Sequence, residues 1–197
     1  AYDHIPKQYM YQTARQKLAR VEVESRGERV AYIMGAGDEV PLAIEQLGYE
    51  VDLLEVKQIQ KEMLRKYDAV VLGVRSLNVH EELKFKMPVL KDYVFEGGNV
   101  IVQYNTSRGL KVDDFSPYPI SLSRLRVTDE KAEVRILDPN HPAMNYPNSI
   151  TSADFEGWVQ ERGLYFPQQW DSNYHAILGS NDLGESSLDG GLLIAQY

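Results

Sequence analysis

The sequence predicts an α/β domain built on a doubly wound, mostly parallel sheet. Three observations carry that prediction. From Arg29 onward, short apolar runs alternate with segments of helical spacing. The run Asp68-Ala69-Val70-Val71-Leu72-Gly73-Val74 is almost continuously apolar, as a strand covered on both faces should be. Three β-α steps in succession require crossover connections, and these place strands in parallel with helices against the sheet.

Each element follows in order. Residues 1–28 are irregular, with Tyr2, Tyr9 and Tyr11 among Pro6, Lys7 and Gln8. Leu18–Glu24 alternates apolar and polar like an extended edge segment, and Ser25-Arg26-Gly27 is a turn signal. This stretch reads as a linker, and 29–197 as the α/β domain. Val30-Ala31-Tyr32-Ile33-Met34 is a buried strand entering the turn Gly35-Ala36-Gly37-Asp38. Asp38 suits a helix cap, Val40, Ala43, Ile44 and Leu47 form the apolar stripe, and Gly48 stops the helix. Tyr49–Leu54 is a second strand, and Ile59, Met63 and Leu64 mark a short helix. Asp68–Val74 is the third strand. Leu83, Met87, Leu90 and Val94 form a stripe interrupted by Pro88, which predicts a kink or a late start. Glu96-Gly97-Gly98 ends it before a fourth strand, Asn99–Tyr104.

The second half is less regular. Residues 105–120 read as loop, Ala132–Leu137 as a strand, and Asp138-Pro139-Asn140-His141-Pro142 as a turn. Thr151–Phe155 opens like a capped short helix. Trp158–Gly163, His175–Ser180 and Gly191–Tyr197 read as strands. The chain starts Ala1-Tyr2 and stops on a strand at Ala195-Gln196-Tyr197, as expected of a fragment of a longer polypeptide.

Composition narrows the function. Hydrophobic residues make up 43% and charged residues 25% of 197, enough for one good core. With 21 basic and 29 acidic side chains the formal charge is −8, which argues against a general nucleic-acid or anionic-membrane binder. No apolar run approaches the roughly 20 residues that span a bilayer. Cysteine is absent, so disulfides, thiolate metal ligands and cysteine nucleophiles are excluded together.

Ligands of open α/β sheets sit outside the C-terminal ends of the strands. Four segments qualify: Gly35–Glu39, Arg75–Asn78, Tyr104–Arg108 and the turn around His141. Gly35-Ala36-Gly37 lacks the third glycine of a dinucleotide fingerprint, since position 40 is Val. Asp38 and Glu39 would repel a phosphate there, so a glycine turn with an Asp cap is favoured. Arg75 has two readings: gripping a carboxylate or sugar hydroxyl, or pairing with Asp38 or Glu39. Asn105-Thr106-Ser107 reads as a backbone-bonding turn and also matches the N-glycosylation sequon, a common chance match.

His4, His80, His141 and His175 lack the spacing of a metal site, so no metal and no cofactor is expected. Asp154, Glu156 and Glu161 lie near Trp158 and Arg162, a mix that suits either a sugar cleft or a domain edge. Tyrosine numbers 13, and Tyr165, Phe166, Trp170 and Tyr174 cluster late, which favours interdomain packing.

The order of these pieces resembles a family. The strand ending Gly35-Ala36-Gly37-Asp38, then Asp68–Gly73, then Gly97-Gly98-Asn99-Val100-Ile101-Val102-Gln103-Tyr104, then Asp138–Pro142, resembles the class I glutamine amidotransferase-like superfamily, with its flavodoxin-like scaffold. The ThuA-like branch is nearest in style. More closely, Tyr2-Asp3-His4-Ile5-Pro6, Met34–Pro41, Val102–Thr106 and Asp154-Phe155-Glu156-Gly157-Trp158-Val159-Gln160-Glu161-Arg162-Gly163 look like the C-terminal region of long bacterial PIG-L/LmbE deacetylase proteins. This resemblance spans essentially the whole chain, and its last run is the most specific.

The resemblance implies a deacetylase domain upstream, carrying a zinc motif of the Ala-His-Pro-Asp-Asp-Glu kind. No such run occurs here, so deacetylation of N-acetyl sugars is not assigned to this chain. It implies an extracytoplasmic address. It also places the reactive turn of an amidotransferase, normally a cysteine, at Tyr104-Asn105, where no thioester with glutamine can form. The expectation is a non-catalytic accessory domain, either holding a carbohydrate or acting as an interdomain scaffold. Its candidate surface is Gly37, Asp38, Glu39, Arg75, Asn78, Tyr104, Asn105 and His141. The rival is a ThuA-like hydrolase or lyase using His141 with Glu156 or Asp38 as acid/base on a sugar. The rival gains if His141 reaches a carboxylate and Tyr104 or Asn105.

Overall fold

Alternation in the first strand organises the parallel half of the fold. In β1 (Arg29–Ile33), Ala31 and Ile33 face one side and Val30 and Tyr32 the other, and all four are buried. The computed structural model describes residues 10–14, 22–157 and 163–197. α1 (Val40–Gln46) carries Pro41 in its first turn, where the missing N–H costs no bond. The helix ends before Gly48, whose φ of +96° is the left-handed conformation that glycine adopts without strain. β2 (Glu50–Leu53), α2 (Lys61–Leu64) and β3 (Ala69–Leu72) follow, then α3 (Ser76–Val79). Pro88 delays the next helix as expected. A 3-10 turn fills Glu81–Phe85, and α4 (Met87–Phe95) starts one residue before the proline. β4 (Asn99–Val102) closes this half.

The four strands pair in the order β2-β1-β3-β4, all parallel, with Val30 beside Val51 and Ala69, and Leu72 beside Val102. On one face Ala31, Ile33, Val70 and Leu72 pack with Leu64, Leu77, Leu83, Met87 and Leu90. Each such aliphatic side chain removed from water contributes about 1.5–3 kcal/mol. On the other face Val30, Tyr32 and Val71 pack under Val40 and Ile44 of α1. A helix is about 10 Å across, enough for two strands spaced about 4.8 Å apart. So α1 covers Tyr32 and Val71, while Leu53 and Ile101 in the same cross-strand row stay 61% and 52% exposed.

Parallel pairing stops at β4. The chain runs through a loop into β5 (Ile120–Val127), a strand in part of the sequence that reads as irregular. The strand expected over Ala132–Leu137 contracts to β6 (Arg135–Ile136). β7 (Gly163–Trp170), β8 (Tyr174–Ser180) and β9 (Leu188–Ala195) complete the order. β5 and β7 form one antiparallel pair, and β6-β8-β9 a three-stranded antiparallel sheet. Of the strand expected over Trp158–Gly163, residues 158–162 lie outside the described residues, and Gly163 opens β7. The architecture is mixed α/β, with one four-stranded parallel sheet and two small antiparallel sheets.

Tyr2, His4 and Tyr9 lie outside the described residues, as does most of the Leu18–Glu24 segment. Residues 22–28 are exposed and belong to no strand. Glu24 is nevertheless clasped by Asn148: its N–H donates to the side-chain oxygen at 2.8 Å and its carbonyl accepts from the side-chain nitrogen at 2.8 Å. Among the described residues no helix is long and apolar enough to cross a membrane.

Candidate functional site

With the order β2-β1-β3-β4, connections leave in opposite directions between β1 and β3, and that is where a ligand crevice is expected. Here the place is stitched shut. The Ala36 N–H donates to the Val74 carbonyl at 2.8 Å, and the Val74 N–H donates to Asp38 Oδ2 at 3.3 Å. A Cβ on Gly35 would stand 2.1 Å from the Val74 carbonyl oxygen, so only glycine fits between the loops. Beneath them the Tyr32 hydroxyl donates to Asp38 Oδ1 at 2.6 Å and accepts from Gln103 Nε2 at 2.8 Å. Burial pushes the Tyr32 phenol far above its usual range, and the Asp38 carboxylate adds to this, while Gln103 opposes it. Asp38 also accepts from the Val40 N–H at 3.0 Å, so it does serve the start of α1, with Glu39 at the formal cap position. Gly37 and Glu39 are exposed on the loop, and the φ of Gly37 is +103°.

Asn78 and Asn105 are buried and join the turns after β3 and β4. Asn78 donates to the Thr106 carbonyl and accepts from the Thr106 N–H, both at 2.9 Å. Asn105 accepts from the Leu77 N–H at 3.0 Å and donates to the Gln103 carbonyl at 2.7 Å. Both amides brace backbone instead of facing solvent. The Thr106 hydroxyl donates to the Arg108 carbonyl at 2.8 Å, as a turn residue does.

The sharp strand-to-helix elbow is not at Tyr104-Asn105, as the family resemblance implies, but at Arg75. Arg75 has φ 59° and ψ 22° and leads directly into α3, whereas no helix follows Tyr104. Its N–H donates to the Tyr104 carbonyl at 2.7 Å. Its side chain is exposed, and neither Asp38 nor Glu39 pairs with it. The other non-glycine residue with positive φ among those described is Tyr165 in β7, also at 59°. Its ring lies 6.0 Å from that of Tyr104, tilted by 57°. Left-handed backbone at residues of this size costs about 1–3 kcal/mol and gathers at functional sites. Here both instances converge on Tyr104. Burial raises the Tyr104 phenol above its usual range, Tyr165 adds to the rise, and the Arg75 guanidinium pulls it down.

Tyr104 and Tyr165 open on a cavity of about 950 Å³ between β4, α4 and the antiparallel sheets. Tyr174 and Tyr197 also line it, each edge-on to Tyr118. Ser180 on its wall is only 7% exposed, and its hydroxyl has no hydrogen-bond partner. The late aromatic cluster therefore lines a cavity, with Tyr165, Phe166 and Tyr174 contributing to it. A second cavity of about 560 Å³ lies against Ile33, Leu54, His80 and Phe85. There His80 Nε2 sits 2.8 Å from the Met34 carbonyl, a partnership across 46 positions that no local pattern announces.

No protein-family model and no curated protein sequence matches the chain. A solved structure of a ThuA-like protein from Bacteroides uniformis ATCC 8492 aligns with it at a TM-score of 0.44 and 14% identity. The alignment covers 78% of this chain and 67% of that one.

His141 does not join the strand-end residues through any hydrogen bond. Its Nδ1 accepts from the Ala143 N–H at 3.2 Å, capping a 3-10 turn over Pro142–Met144, and its ring lies 5.7 Å from that of His175 on β8. Glu156 is exposed just after a second 3-10 turn, Ser152–Phe155, where Thr151 and Asp154 form the capping box. Trp158, Glu161 and Arg162 lie outside the described residues. Among the described residues no three metal-ligating side chains cluster. Chemically, the arrangement offers two tilted phenol rings on the lining of a cavity and, bonded through its backbone to one of them, an exposed arginine that makes no ion pair among the described residues.

Proposed function

We propose that this chain is a non-catalytic accessory domain that holds a carbohydrate for a sugar-processing enzyme. Its scaffold is read as doubly wound and flavodoxin-like, of the class I glutamine amidotransferase type. The strand order β2-β1-β3-β4 supports that scaffold, being the first four places of the flavodoxin-like order. One observation carries the functional reading: the left-handed strand-to-helix elbow, where such scaffolds present a nucleophile, presents Arg75. A guanidinium is permanently protonated and cannot attack a carbonyl, but it binds well. The bonding of His141 to the Ala143 backbone N–H is what a structural histidine does, and it supports the accessory role over the hydrolase. The sequence resemblance to PIG-L/LmbE proteins supplies the partner, an upstream deacetylase domain of the same polypeptide, and the extracytoplasmic address.

The test is a saccharide-binding screen on the chain, with Arg75→Ala and Tyr104→Ala as controls, run beside an assay for ammonia release from glutamine. The expected result is binding that both substitutions weaken, with no ammonia released. Silence across the saccharides would leave a purely structural role. Ammonia release would overturn the reading outright.

A further inference from the structure

We infer that the mouth of the large cavity selects a saccharide bearing a carboxylate, a hexuronic acid unit, with the acid on Arg75 and the sugar ring against Tyr104 and Tyr165. The inference rests on the carbohydrate reading above and deepens it. Three independent features meet here. First, Arg75 is exposed and makes no ion pair among the described residues, although Asp38 and Glu39 stand on the neighbouring loop. The Asp38 carboxylate is taken by Tyr32, Val40 and Val74. A guanidinium is a planar fork that matches a carboxylate with two parallel hydrogen bonds. Its backbone is pinned by the bond to the Tyr104 carbonyl, which ties the start of α3 to the strand end carrying Tyr104.

Second, the two tyrosines give an apolar face and a polar edge in one place. The C–H faces of a pyranose pack on such rings while its hydroxyls reach the phenols. Third, the cavity behind them, about 950 Å³, is at the upper end of the range for small-molecule sites. Its wall holds the unpartnered hydroxyl of Ser180, more than nine-tenths buried, and a buried hydroxyl without a partner is satisfied by an incoming hydroxyl or amide.

The charge inventory favours one carboxylate over a phosphate. Lys91, the cation on the cavity lining, is bonded to Asp114 at 2.7 Å, whereas Arg75, joined to the lining through its N–H bond to the Tyr104 carbonyl, makes no ion pair among the described residues. α3 has four residues and adds no anion site of its own. With a formal charge of −8 on the whole chain, a dianion meets more repulsion than a monoanion.

The experiment is calorimetric titration of the full chain with tetrasaccharides carrying one uronic acid each, galacturonosyl-galactotriose and mannuronosyl-mannotriose, against galactotetraose and mannotetraose as neutral counterparts. At least one acidic oligomer is expected to bind ten-fold or more tighter than its neutral counterpart. Arg75→Asn should erase that preference, and because Asn tolerates left-handed backbone the fold is kept. Arg75→Lys should restore part of it, because the charge returns without the fork. Equal binding of acidic and neutral oligomers overturns the inference and leaves the carbohydrate reading standing. Binding of none of the four, by protein with an unchanged circular dichroism spectrum, overturns both.

Discussion

The hydroxyl of Tyr32 donates to Asp38 at 2.6 Å inside the position where the sheet topology leads one to look for a ligand. With Gln103 donating to the same hydroxyl, the ends of β1 and β4 are joined through the buried Tyr32 and the half-buried Gln103, and the loop after β3 is held by Asp38. The topological crevice is thereby filled by the chain's own polar groups. Open volume is displaced sideways, past β4, where the antiparallel sheets meet the parallel one.

Removing the Tyr32 hydroxyl tests how much this bridge contributes. Tyr32→Phe takes one partner each from the half-buried Asp38 and Gln103, and should cost about 1–3 kcal/mol by urea denaturation at neutral pH. The pH dependence has a definite sign. The folded phenol ionises well above the unfolded one, so its contribution is fully present below pH 10 and fades as pH rises beyond it. Tyr174, pushed up to about 12 chiefly by burial, acts in the same direction. Stability of the native sequence should fall from about pH 10 upward, and the fall should be shallower in Tyr32→Phe. Parallel alkaline profiles for the two proteins would refute the bridge.

The parallel half of this fold is legible in the sequence because its strands are covered on both faces and so read as unbroken apolar runs, Val30–Ile33 and Ala69–Leu72 among them. β5 is harder to read. Ile120, Leu122, Leu125 and Val127 alternate with Ser and Arg, but register shifts around Leu122 and Leu125 break the period of two. The proposed binding mouth is half visible. Arg75 and Tyr104 stand at strand ends and are found by topology. Tyr165 arrives from β7, some 60 residues later, and its left-handed φ leaves no mark on a non-glycine residue. Asn78 and Asn105 look like ligand-facing polar residues in one dimension. Only their mutual backbone bonds show them to be braces.

Gly35 tests whether the loops after β1 and β3 are truly closed on each other. An added Cβ would meet the Val74 carbonyl oxygen at 2.1 Å and the Ser76 nitrogen at 2.7 Å, both main-chain atoms that cannot swing away. Gly35→Ala should cost about 3 kcal/mol or more, the upper part of the overpacking range, whereas Gly37→Ala meets no atom within 4 Å and pays only for its φ of +103°. Urea midpoints of the two variants decide the point. Equal losses would mean that the first loop stands clear of the second.

Asn105 links stability to the proposed binding mouth. Asn105→Leu strands the Leu77 N–H and the Gln103 carbonyl in a buried place, and should cost about 2 kcal/mol or more. Asn105→Asp keeps an acceptor for Leu77 but, once ionised, has no proton for the Gln103 carbonyl. Burial and that carbonyl both favour its neutral form, so its folded pKa lies above the unfolded value. Its stability is then fully present below about pH 4 and is lost as pH rises through the folded pKa, the reverse of an ordinary paired aspartate. The variant should sit closest to the native protein at pH 4 and furthest at pH 7. Because Asn105 braces the turn that carries Tyr104, and the Tyr104 carbonyl holds Arg75, acidic-oligomer affinity should weaken over the same pH interval. A variant that loses stability with pH but keeps its affinity would separate the brace from the mouth, and would require Arg75 to be positioned by α3 alone.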